Sequence, residues 1–180
     1  MYAEGFEQTY AYASRGGNDS ARLTDSTGDD TFSADGQANG ARLQGVTFDF
    51  YAEGFERNYA YATRGGADAA ALYDSTGDDT FTFAHPGGRF QGTAFDAYAE
   101  SFDQYVAYAV RGGSDRAFLY DTPGDDVLQG QANWYQLTTP SASVRGQQFD
   151  YVKATANSGG LNTLDMDAVD YLFEHDGTWN

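Results

Sequence analysis

Cysteine is absent from the 180 residues, which excludes disulfide staples and thiolate metal sites and leaves an oxidising compartment permitted but not required. No apolar run approaches the roughly 20 residues of a membrane-spanning helix. Cationic residues are scarce: ten Lys and Arg stand against 27 Asp and Glu, a formal charge of −17. That balance opposes a role on nucleic acid or an anionic membrane surface and makes a cation the better ligand. Histidine occurs only at His85 and His175, and neither has a repeated Asp or Ser partner with which to build a nucleophilic triad. Helical periodicity is lacking through most of the chain, which removes helical solenoids from consideration.

What the chain has is a repeat. Arg-Gly-Gly-x-Asp, a short alternating segment and Asp-[Ser/Thr]-x-Gly-Asp-Asp occur together at 15–30, 64–79 and 111–126. The Gly pairs begin at Gly16, Gly65, Gly112 and, in a partial copy, Gly159, spacings of 49, 47 and 47 residues. A fixed period of this length means one supersecondary unit stacked on copies of itself. The units run over about 6–54, 55–101 and 102–148, with a partial one at 149–163, so that 1–163 forms the array and 164–180 its end. Met1 leads directly into Tyr2-Ala3-Glu4-Gly5-Phe6, a copy of Tyr51 to Phe55. The expectation is a segment of a longer parent protein whose N-terminal edge is open to self-association.

Within the second unit, 55–62, 69–73 and 80–83 alternate small or polar residues with apolar ones and read as strands, with Ala70 and Leu72 sharing the inward face and Ala71 and Tyr73 the outward one. Gly, Asp, Ser and Pro cluster between them as turns. The segment around Arg42, Arg89 and Trp134 varies most and reads as an outward loop. A last strand at 48–51 or 95–98 leads into the next unit. Five short strands per unit indicate an all-β fold, a parallel β-helix (β-solenoid) of 47–49-residue repeats. A three-sided coil takes about 20 to 25 residues, so two coils per repeat are expected. The core is expected to be filled by ladders of Leu, Ala, Phe and Tyr. At the end, Val169, Leu172 and Phe173 fall at i, i+3 and i+4, with Asp165 or Asp167 to cap and Gly177 to stop, the pattern of a short C-terminal capping helix over 167–174.

Two chemical readings attach to the repeated carboxylates Asp25, Asp29, Asp30, Asp74, Asp78, Asp79, Asp121, Asp125 and Asp126. In a regular stack they form acidic columns about 10 Å apart, each pair repelling by about 0.4 kcal/mol in water. Calcium, which takes six to eight oxygens, would relieve that repulsion. The other reading is that each Asp accepts hydrogen bonds from turn amides. The recurring Arg15, Arg64 and Arg111 and the recurring Glu4, Glu53 and Glu100 invite pairing between neighbouring coils.

Gly28-Asp29-Asp30-Thr31-Phe32 and Gly77-Asp78-Asp79-Thr80-Phe81 resemble half of the haemolysin-type (RTX) calcium-binding nonapeptide, with Gly77, Asp79 and Phe81 on its last Gly, its Asp and its apolar position. The preceding nonapeptide, 65–73, departs from the pattern: Asp68 replaces a Gly and Ala70 an Asp. The resemblance implies a calcium-stabilised β-solenoid of the kind found in long bacterial secreted and cell-surface proteins. The expected role is a non-enzymatic structural or adhesive element, extracellular or on the cell surface, whose partners are neighbouring repeats and calcium, with a glycan as a further candidate. The alternatives are a glycan- or ice-binding module, and behind it a polysaccharide lyase or epimerase.

Overall fold

The computed structural model describes residues 7–180; Glu4 and the rest of the expected entry segment lie outside them. The first unit forms β1 (Gln8–Tyr12), β2 (Ser20–Thr24), β3 (Thr31–Asp35), β4 (Gly40–Gln44) and β5 (Asp49–Glu53). The second forms β6 (Arg57–Tyr61), β7 (Ala69–Tyr73), β8 (Thr80–Ala84), β9 (Gly87–Gln91) and β10 (Asp96–Glu100). The third forms β11 (Gln104–Tyr108), β12 (Arg116–Tyr120), β13 (Val127–Ala132), β14 (Trp134–Thr138) and β15 (Ser143–Gln147), and the last partial unit β16 (Tyr151–Ala156), β17 (Thr163–Val169) and β18 (Leu172–Gly177). The fold is an all-β solenoid, and no helix occurs among the described residues.

Two sheets make the solenoid, in place of the three-sided coils expected. The first has the order β1-β5-β4-β3-β7-β11-β15-β14-β13-β17, the second β18-β16-β12-β8-β9-β10-β6-β2. Each full unit lays one strand in one sheet, one in the other, and then a three-stranded meander, so it does not make two equal coils. The middle strand of each meander, β4, β9 or β14, is antiparallel to both neighbours; the other pairings, such as β7 with β3 and β11, are parallel. Because a unit contributes an odd number of sheet crossings, the meander falls in the first sheet, then the second, then the first again. Successive units are thus related by a half turn about the stacking axis. Five strand positions separate β1 from β11, so two units rise about 24 Å at the usual strand spacing.

Alternation along each strand fills the space between the sheets. On β7, Ala70 and Leu72 are buried while Ala71 and Tyr73 face outward, as expected. Large and small residues meet across the ladders: Phe81 lies beside Ala117, Phe32 beside Ala70 and Phe90 beside Ala97. This interlocking lets the two sheets close on one core. The variable fourth segment is not an outward loop: it is the meander strand β4, β9 or β14, and its Leu43, Phe90 and Leu137 are fully buried. The tyrosines also differ from expectation. Tyr105, Tyr135 and Tyr171 are core residues, but Tyr59 and Tyr61, which flank the buried Ala60, take the opposite parity and lie on the outer face.

The expected capping helix is replaced by β17 and β18. Leu164 pairs with Leu128 and Met166 with Gly130, while Phe173 pairs with Val152. The edges of β13 and β16 present rows of unpaired amides, and satisfying them outweighs a three-residue apolar coincidence too short to sustain a helix. This last unit carries no meander, so β18 pairs directly with β16, whereas β9 and β10 separate β8 from β6. The tail returns through Asn180, whose N–H donates to Asn162 O at 2.9 Å.

Candidate functional site

The half turn between units decides what each Gly-Asp-Asp turn touches. Turns from the second sheet to the first and turns in the reverse direction lie on opposite edges of the stack, so consecutive acidic turns do not form one column. The neighbour of each is the Gly-Gly turn of the next unit: Gly66 packs on Gly28, Gly113 on Gly77 and Gly160 on Gly124. The expected acidic stripes are therefore interleaved with glycine backbone.

Inside a turn, Asp79 Oδ2 accepts the Ser75 N–H at 2.6 Å, and the Ser75 hydroxyl donates to Asp79 Oδ1 at 3.1 Å. Ser26 with Asp30 repeats this, and Thr122 with Asp126 substitutes a threonine hydroxyl at 2.9 Å. These are side-chain-closed turns of the sort Asp, Ser and Thr form locally.

The other two carboxylates of each motif reach the next unit. Asp29, Asp78 and Asp125 each accept, at 2.8 Å, an amide of the following Gly-Gly turn: Ala67, Ser114 and Leu161 respectively. Asp25 and Asp74 accept the Arg64 and Arg111 amides at 2.7 Å. Asp121 accepts those of Asn157 at 3.1 Å and Ser158 at 2.9 Å. Each acidic turn is a clamp on its successor, made of charge-assisted bonds to backbone N–H groups.

Sequence reasoning missed the members that complete the clamp. Asp68 and Asp115, the Asp of Arg-Gly-Gly-x-Asp, are buried, and each accepts the amide of the preceding motif's last Asp: Asp30 to Asp68 and Asp79 to Asp115, both at 2.8 Å. In the partial unit Asn162 takes the position and accepts from Asp126 at 3.1 Å. Asp68 and Asp115 donate their own amides to Asp103 and Asp150 at 2.8 Å. The recurrence of this Asp was visible in the repeat, but in the nonapeptide register it looked like a lost glycine.

A calcium ion would need six to eight oxygens converging on one point. Each of the nine carboxylates offers at least one oxygen to a main-chain or hydroxyl donor. Among the described residues no group of three or more His, Cys, Asp or Glu side chains is placed to hold a metal. In this arrangement the nine carboxylates serve as acceptors for turn amides and hydroxyls.

The expected Arg–Glu pairing also gives way to other partners. Arg111 forms an ion pair with Asp35 at 2.7 Å and lies over the Tyr73 ring, because columns on one sheet realign only every second unit. Glu100 instead accepts the Tyr98 hydroxyl at 2.9 Å. On the meanders Arg42 pairs with Asp49 and Arg89 with Asp96. His85 approaches Ser141 at 3.4 Å, and His175 stacks with Phe173. Comparison with family models, with curated proteins and with solved structures gave no match.

Proposed function

We propose that the chain is a non-enzymatic structural element, a stiff acidic spacer or adhesive segment of a secreted or cell-surface protein. The observation that carries this reading is the use made of the repeated polar residues: they are spent, copy after copy, on clamping one unit to the next. A catalytic constellation is ordinarily unique within its chain, and these carboxylates are not. High net charge keeps such a rod soluble while its edges remain selective for its own repeats. The test is to insert one and two further copies of residues 55–101 and measure the length by small-angle X-ray scattering. A spacer lengthens by about 12 Å per added unit, half of the two-unit rise, and remains monomeric. A collapsed or aggregated product would sink the reading, as would turnover of a uronate polymer by the purified chain.

A second reading, glycan binding, draws on the outer face of the first sheet, where Asp35, Arg42, Tyr51 and Tyr73 line an open depression. Aromatic faces flanked by a cation and a carboxylate suit a sugar ring. Loss of glycan-array binding in Tyr51→Ala with Tyr73→Ala would support it, and no binding by the wild type would remove it.

A further inference from the structure

Three equivalent corners recur along the stack: Asp25 with Asp30 and Asp68, Asp74 with Asp79 and Asp115, and Asp121 with Asp126 and Asn162. All nine side chains are buried, none more than 5% exposed. The third corner shows what the position requires. Asn162 Oδ1 accepts the Asp126 amide, while its Nδ2 donates to Asp121 Oδ2 and to Gly159 O, both at 3.2 Å. At the other corners Asp68 Oδ1 and Asp115 Oδ1 perform the same accepting role. The equivalence of the corners gives their second oxygen the place of the Asn162 amide nitrogen, which donates to the corner carboxylate and to the glycine carbonyl three residues before it.

A second observation points the same way. Asp25 Oδ1 and Asp74 Oδ1 are buried and receive no hydrogen bond among the described residues, whereas both oxygens of Asp121 are bonded. The first two corners each lack a donor that the third possesses. Buried acceptors without donors are costly, and a carboxyl group can supply the missing one by keeping its proton.

We propose that Asp68 and Asp115 are held as neutral carboxylic acids in the folded stack, each donating its proton to the corner it shares with Asp25 or Asp74, so that the solenoid tightens on mild acidification and loosens above neutrality. The charged groups bearing on Asp68 are Asp30, Asp25 and Asp103, and those on Asp115 are Asp79, Asp74 and Asp150, all acidic. Arg111 lies beyond, at Asp74. Burial, with these like charges added, raises Asp68 above the ordinary aspartate value and pushes Asp115 up to about 7. Asp74 is likewise raised, first by burial. At the third corner burial also acts to raise Asp121, but bonds from Ser158, Asn157 and Asn162 hold it below the ordinary value.

The direction of the pH effect follows. A carboxyl with a raised pKa in the folded state binds its proton more tightly there than in the unfolded chain. For Asp115 that contribution is complete below the unfolded value of 3.8 and is lost as pH rises through about 7, lowering the folding equilibrium constant by up to about tenfold per pH unit across that window. Asp68, also raised, acts in the same direction.

The experiment is thermal melting of the full chain from pH 5 to pH 8.5 at high salt, which screens surface repulsion, with calcium and with chelator. Wild type should lose melting temperature as pH rises. Asp68→Asn with Asp115→Asn, which copies residue 162 into the first two corners, should melt higher than wild type at pH 8 and lose most of the slope. The reverse change, Asn162→Asp, should steepen the slope and lower the melting point at pH 8. If the double variant melts below wild type at pH 8 and the slope persists, the proposal is wrong and both carboxyls are needed as anions. Infrared spectra of the wild type at pH 6 give a readout independent of any variant's folding: a protonated buried carboxyl band, absent from Asp68→Asn with Asp115→Asn if that variant folds, is expected, and no such band in the wild type would overturn the assignment.

Discussion

Gly113 lies flat against the carbonyl of Gly77, one unit earlier, in an approach that leaves no room for a side chain: a Cβ on Gly113 would overlap the Gly77 oxygen. Its neighbour Gly112 has a similar positive φ, +92° against +110°, but open space around it. The two therefore separate backbone strain from contact between units. Gly112→Ala should cost about 1 to 3 kcal/mol, the price of the left-handed conformation. Gly113→Ala should cost clearly more, because the interface between units must also open. Chemical denaturation of the two variants makes the comparison, and equal losses would mean that this contact carries no energy.

The central core layer should show a sharp division between faces. Leu72 is fully buried on β7, and Thr82 points outward on β8. Leu72→Ala is expected to lose about 2 to 5 kcal/mol, and Thr82→Ala less than about 0.5. Urea titration with unchanged slope is the measurement.

The turn clamp can be probed at Thr122, which is buried and whose hydroxyl donates to Asp126 and accepts the Gly124 amide. Thr122→Val keeps the shape and removes both bonds, an expected loss of about 1 to 3 kcal/mol. Ser114 offers the control: its amide is bonded to Asp78 but its side chain is exposed. Ser114→Ala should change stability by less than about 0.5 kcal/mol.

Removing residues 165–180 should uncover the edges of β13 and β16, since β17 and β18 are their partners. Open edges recruit other chains. Size-exclusion chromatography of the truncated protein should show stronger concentration-dependent association than the full chain, and equal elution of the two would remove the capping role of β17 and β18.

The all-β class, the turns, most of the inward leucines and the strand parity were readable from the chain because each is a local or repeated property. Leu72 and Leu119 are buried as their alternation requires, while Leu23, on the edge strand β2, is only partly so. What the chain did not reveal were relations across units. The meander strand β9 looked like a loop because its segment varies most from unit to unit, although its Gly88 makes room for Tyr105 and Phe81. The helix-like spacing of Val169, Leu172 and Phe173 gave no hint of the unpaired edges awaiting them. Asp68 and Asp115 went unrecognised as clamp members because their partners, Asp30 and Asp79, lie 38 and 36 residues away.

The alternation of meanders between the two sheets makes the array sensitive to parity. Inserting one unit turns whatever follows to the opposite side of the rod, whereas inserting two restores its direction about 24 Å further along. A parent protein built from such units could therefore aim a terminal domain toward or away from a given surface simply by having an odd or an even number of copies, with no hinge and no change in any interface.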